Sequence, residues 1–94
     1  MGRLYGLAYS EAATSYLDHV IPNPYRGQIR KRIATLISNP RPNGVKRLQG
    51  MSDGDNPIYR LRCGDYRVLY CIRPGPLIAV LDIGHRKDVY RRKG

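Results

Sequence analysis

The chain has 94 residues, 41% of them hydrophobic, and its 17 Lys+Arg against 7 Asp+Glu give a formal charge of +10. A chain of this length buries only about 60–65% of its unfolded surface, so one modest core is expected and residues 1–94 read as a single domain. No apolar run approaches the ~20 residues of a membrane span, no cysteine or histidine spacing fits a zinc site, and the spacing of apolar residues is too regular for a disordered chain.

In chain order, Arg3 to Tyr9 reads as a strand. Ser10 is placed to cap a helix running to about Ile21, with Ala13, Tyr16, Leu17 and Val20 on one stripe. Pro22-Asn23-Pro24 stops that helix and starts another from Tyr25 to about Ser38, with Ile29, Ile33, Leu36 and Ile37 on its apolar face. Arg26, Arg30 and Lys31 fall on the other face, most simply a solvated one. A three-residue connection makes the two helices an antiparallel hairpin.

The period then changes from that of a helix to that of strands. Val45–Leu48 is a short strand candidate, and Ile58–Arg62 alternates, with Tyr59 and Leu61 opposite Arg60 and Arg62. Gly64-Asp65 is a tight turn. Tyr66–Arg73 follows, with Tyr66, Val68, Tyr70 and Ile72 on one face and Arg67, Leu69, Cys71 and Arg73 on the other. Pro74-Gly75-Pro76 turns the chain again into Leu77–Ile83, apolar on both faces except at Asp82, as a central strand would be. The expected fold is α+β: an N-terminal strand, then a helix hairpin packed on one face of a four- to five-stranded, mainly antiparallel sheet whose other face stays partly open.

Thirteen of the 17 cations are arginine, whose planar, permanently charged fork fits phosphate oxygens in pairs. Such a surplus favours a polyanion or an acidic protein as partner, against the plainer reading of a merely basic protein. Arg60, Arg62 and Arg67 belong to one hairpin, Lys46 and Arg47 to the strand before it, Arg86 to the end of the last strand, and Tyr90 follows four residues on. Converging on the open face, they would suit phosphodiester chemistry on RNA, which carries its own nucleophile in the 2′-OH. A phenol titrates near 10 unperturbed, and neighbouring guanidinium groups lower that value towards a usable base.

Each residue also has a structural reading. Arg67 is in range of Asp82 or Asp65, His85 is a surface or capping residue or else a general acid, and Arg91, Arg92 and Lys93 make a basic tail. Tyr5, Tyr9, Tyr16, Tyr59 and Tyr70 read as core or half-core. Cys63 and Cys71 read as reduced thiols near the core, because no secretory segment is apparent, and the cytoplasm is the expected location.

Three stretches resemble the RelE toxin family: Lys46-Arg47-Leu48-Gln49-Gly50, Tyr59 through Tyr70 with its Gly-Asp-Tyr-Arg-Val-Leu-Tyr run, and Ile83-Gly84-His85-Arg86-Lys87-Asp88-Val89-Tyr90. The resemblance covers nearly the whole chain and implies a toxin that cuts messenger RNA on the ribosome without metal or cofactor, contacts ribosomal RNA, and is inhibited by a RelB-like antitoxin. It carries catalytic roles onto Arg60, Arg67, Arg86 and Tyr90. Tyr90 would be the general base, Arg67 and Arg86 would hold the phosphate, and His85 or Arg86 would stand at the leaving group. Lys46, Arg47, Arg62 and Lys87 would bind RNA or the ribosome. Where the family's best-known member carries two lysines before the turn, this sequence has Ile58 and Arg60. The related ParE toxins share the scaffold, generally lack these basic residues and the terminal tyrosine, and inhibit DNA gyrase. A non-catalytic nucleic-acid-binding module is the third reading.

Overall fold

The computed structural model describes residues 4–87. The elements in chain order are strand β1 (Gly6–Tyr9), helices α1 (Glu11–His19) and α2 (Asn23–Ala34), a 3₁₀ turn (Thr35–Ile37), and strands β2 (Lys46–Asp53), β3 (Asn56–Cys63), β4 (Tyr66–Arg73) and β5 (Leu77–His85). They form a five-stranded sheet in the order β1-β5-β4-β3-β2. β2 to β5 are antiparallel neighbours, whereas β1 lies parallel to β5. The expected α+β architecture is the one observed.

Ser10 caps α1 by accepting the Ala13 N–H at 3.0 Å, and its hydroxyl also donates to the Leu81 carbonyl at 2.7 Å. One small side chain therefore starts the helix and ties it to β5. Val20 does not join the apolar stripe. The helix ends at His19, so Val20 is 57% exposed and Ile21 turns fully into the core instead. α2 begins at Asn23, two residues earlier than its apolar pattern suggests, because the first helical turn needs no N–H from Pro24.

The core fills the space between the helices and one face of the sheet. Leu17, Ile21, Ile33 and Leu36 from the helical layer meet Leu61, Val68, Tyr70, Ile78, Val80 and Ile83 from the strands. Each such side chain contributes about 1.5–3 kcal/mol relative to exposure. Tyr70 is fully buried and donates its hydroxyl to the Pro40 carbonyl at 2.6 Å. The opposite face, away from the helices, carries a smaller cluster, Ile58 and Leu69 packed with Leu48, Met51 and Leu81, and Ala79 is buried on it too. Cys63 and Cys71 are both free and buried, on opposite faces of the sheet.

Two irregularities decide which side chains share a face. β2 runs well past the expected Leu48, pairing with β3 at both ends, with a register shift between Arg47 and Ser52. β5 carries a bulge. Tyr70 pairs with Val80 but Leu69 pairs with Asp82, so Leu81 is an extra residue. From there to its end, β5 presents the opposite set of side chains to each face.

Candidate nucleic-acid interface at the β3–β4 turn

The open face can be followed by register. Lys46, Arg60, Leu69 and Asp82 form one row across four strands, and Arg62, Arg67 and Gly84 form the next. Beyond them lies the Gly64-Asp65 turn, where Gly64 takes a φ of +61°, a left-handed value that favours glycine. The Arg86 N–H donates to the Asp65 carbonyl at 2.8 Å, so β5 is held against the turn, and the Arg86 Nε lies 3.9 Å from the Asp65 carboxylate. Arg60, Arg62, Arg67 and Arg86 thus gather at one end of one face.

Arg62 and Arg67 stand directly opposite one another on adjacent strands. Like charges so placed oppose folding, and a bound polyanion would relieve that repulsion. Arg67 is 8% exposed, and its Nη1 donates to the Gly64 carbonyl at 2.8 Å and the Tyr66 carbonyl at 3.1 Å. These carbonyls orient the guanidinium. Arg62, Lys46 and Arg86 are exposed, as a surface that meets a phosphate backbone requires.

Two of the expected site residues are not on this face. Arg47 is paired with Tyr59 and so points to the side opposite its neighbour Lys46, because successive strand residues alternate. His85 is paired with Tyr66 on the helix-packed side, with the two rings edge to face at 6.1 Å. Its N–H donates to the Tyr16 hydroxyl at 3.1 Å, and its Nδ1 accepts the Lys87 N–H at 3.2 Å. The β5 bulge is the cause: an unbroken alternation would have put His85 on the arginine face. Tyr90, with Arg91, Arg92 and Lys93, lies outside the described residues. Burial pushes the phenols of Tyr66 and Tyr70 up from the usual value, which disfavours either as a base near neutrality.

Asp82, expected within range of Arg67, is buried on the arginine face, where the bulge has turned it. Two features were not anticipated. At the other end of the same face, the Asp53 carboxylate accepts from Arg73 Nε at 2.8 Å and from Cys71 Sγ at 3.4 Å. The Arg73 hydrogen bond, then the Cys71 one, holds the Asp53 carboxyl below the ordinary carboxylate value. Around the corner, a groove of about 760 Å³ opens between α2 and the β3–β4 turn, with Tyr25, Ile29, Cys63 and Tyr66 in its wall and Lys31 and Arg32 beside them. The i, i+4 spacing of Tyr25 and Ile29 in the sequence is the signal for that helix face.

The fold, with its basic face beside the β3–β4 turn, places the chain in the RelE/ParE toxin superfamily. A family model for the ParE toxin of type II toxin–antitoxin systems (parDE) matches residues 7–90. The chain belongs to that family and is a toxin of a type II toxin–antitoxin system. Among solved structures, the RelE–RelB complex of the archaeon Pyrococcus horikoshii is similar to it at 26% identity, with a TM-score of 0.75 over 92% of this chain and 99% of that one. A RelBE toxin–antitoxin complex of Mycobacterium tuberculosis matches at 24% identity and a TM-score of 0.72, over 88% of this chain and 99% of that one. Escherichia coli RelE, an arginine-substituted variant bound to a RelB peptide, matches at 22% identity and a TM-score of 0.66, over 97% and 95% of the two chains. No curated protein sequence matches the chain. Among the described residues, no helix is long and apolar enough to cross a membrane.

Proposed function

We propose that this toxin is an endoribonuclease that cuts messenger RNA on the ribosome in the cytoplasm and is held inactive by a RelB-like antitoxin protein. The observation that carries the reading is the gathering of Arg60, Arg62, Arg67 and Arg86 on one sheet face at the β3–β4 turn. In this reading Arg67, oriented by two carbonyls, and Arg60 grip the scissile phosphate, while Arg62, Lys46 and Lys87 follow the flanking backbone. Tyr90 takes the proton from the 2′-OH. The O2′ attacks phosphorus, the P–O5′ bond breaks, and a 2′,3′-cyclic phosphate and a 5′-hydroxyl result. Arg86 stabilises the charge on the leaving O5′, which takes a proton from water to become the 5′-hydroxyl, and Tyr90 returns its proton to solvent. The place of Arg86 on the open face supports it over His85 at the leaving group, since His85 lies beside Tyr66 on the other side. Antitoxin binding is supported by the RelB chains in the complexes of its structural relatives.

Primer extension on messenger RNA in a translating extract tests this. The wild-type toxin should produce cuts in the ribosomal A site, and Tyr90→Phe should lose them while ribosome binding stays nearly intact. A Tyr90→Phe toxin that cut normally would remove Tyr90 as the base. The match to the ParE family favours a second reading, inhibition of DNA gyrase. Loss of gyrase supercoiling on adding toxin, with no A-site cuts, would establish that reading in place of the first.

A further inference from the structure

The buried charged side chains among the described residues are Arg67, 8% exposed, and Asp82, 5% exposed. Both are on the open face of the sheet, on adjacent strands, two register positions apart: Arg67 opposes Gly84, and Asp82 opposes Leu69. A diagonal of that kind spans roughly 7–8 Å between backbones, well within an arginine's reach, and Gly84 places no side chain in the way. Arg60 lies in the same row as Asp82, across Leu69.

Asp82 is on this face only because of the bulge. Val80 faces the helices, so strict alternation would have sent Asp82 towards them as well. The extra residue, Leu81, resets the alternation, and the Ile83 N–H donates to Asp82 Oδ1 at 2.9 Å, bracing the carboxylate where the ladder is interrupted. Bulges beside functional sites commonly re-aim a side chain in this way. A carboxylate has four lone-pair sites, so it can accept guanidinium donors as well as that backbone N–H. It is also the wrong charge for a surface that binds phosphate. A buried acid there must either repel the substrate or act on the cations around it.

We propose that Asp82, turned onto the arginine face by the β5 bulge, is a positioning residue that sets the direction of the Arg67 and Arg60 guanidinium groups for a phosphodiester. The proposal rests on the endonuclease reading of this site. Asp82 does not touch the substrate. It fixes two forks before the substrate arrives, so the alignment cost is met in folding rather than at the moment of reaction.

The test uses the full-length toxin with Asp82→Asn, which keeps the side chain's shape and removes its charge, and Asp82→Glu, which keeps the charge and moves it by one methylene. Asp82→Asn should leave ribosome affinity unchanged or severalfold tighter, because one negative charge leaves the face, while single-turnover cleavage falls about ten- to hundredfold. Asp82→Glu should fall between that variant and the wild type. The Arg67 Nε–Hε resonance of the free toxin should shift or broaden in both variants. Binding and cleavage rising together in Asp82→Asn would make the carboxylate an electrostatic barrier and overturn the proposal. So would a parallel loss of melting temperature and cleavage in both variants, which marks a purely structural role. If the wild-type toxin cut no RNA, the endonuclease reading would fall on that control, and the positioning role would be decided by the Arg67 resonance alone.

Discussion

Arg67 and Arg73 occupy the same strand and the same face, six residues apart, and the two ends of the sheet use them differently. Arg73 is matched to Asp53 at 2.8 Å, with the Cys71 thiol on the same carboxylate, and that end is an ion-paired clamp joining β4 to the β2–β3 hairpin. Arg67 is buried beside the β3–β4 turn, its Nη1 on two main-chain carbonyls, with Arg60, Arg62 and Arg86 around it. Four arginines stand at this end against the carboxylates of Asp65 and Asp82, so it keeps a positive surplus and remains attractive to an anion. On the proposed reading, the difference separates a cation that holds the fold from one that meets the RNA, although residue type, strand and face are the same.

Paired substitutions test that contrast most directly. Arg67→Ala should lower single-turnover RNA cleavage by roughly two orders of magnitude, the scale of removing one transition-state donor, and weaken ribosome binding. Arg73→Ala should leave cleavage unchanged and lower the melting temperature slightly. Equal loss of cleavage in the two variants would erase the distinction between the ends.

Leu69→Ala sharpens it by removing the apolar side chain between Arg60 and Asp82. A buried leucine truncation costs about 2–5 kcal/mol, read from denaturant unfolding. Cleavage per folded molecule should drop as well, because the row it supports loses its spacer. Ser10→Ala acts on the helix-packed face, away from either end. It should cost about 1–2 kcal/mol by removing both the α1 cap and the bond to Leu81, with cleavage unaffected.

The smallest effect is a pH dependence. The folded Asp53 carboxyl titrates below its unfolded value, so its contribution is complete above the unfolded pKa of about 3.8 and is lost as pH falls through the lower, folded one. Acid unfolding curves of the wild type should therefore show an extra loss of stability below about pH 4. Arg73→Ala should reduce that loss, whereas Arg62→Ala, at the other end, should not alter it.

Much of this could be read from residue order. Ser10 before a periodic apolar stripe, Gly64-Asp65 between alternating runs, and Tyr66–Arg73 with two distinct faces each specify local geometry through short-range chemistry, and each element is where that chemistry puts it. Arg60, Arg62 and Arg67 were recognisable as a group because a two-residue turn forces their strands together, and Arg86 joins them because the Pro74-Gly75-Pro76 turn brings the last strand back beside β4. Lys46 and Arg47 were not separable in the same way, since only pairing with β3 shows which of two adjacent cations faces the open side.

The sequence by itself determined the element order, the α+β class and the concentration of arginine around one turn, because each follows from local periodicity and turn chemistry. Tertiary structure decided the parallel pairing of β1 with β5 and the extra residue at Leu81. That one residue moves His85 away from the arginines and brings Asp82 among them. A bulge has no strong local signature, since it arises where two strands must satisfy both their hydrogen-bond ladder and a core on one side. Its consequence, an exchange of faces for every later residue of β5, can be seen only once the partner strand is in place.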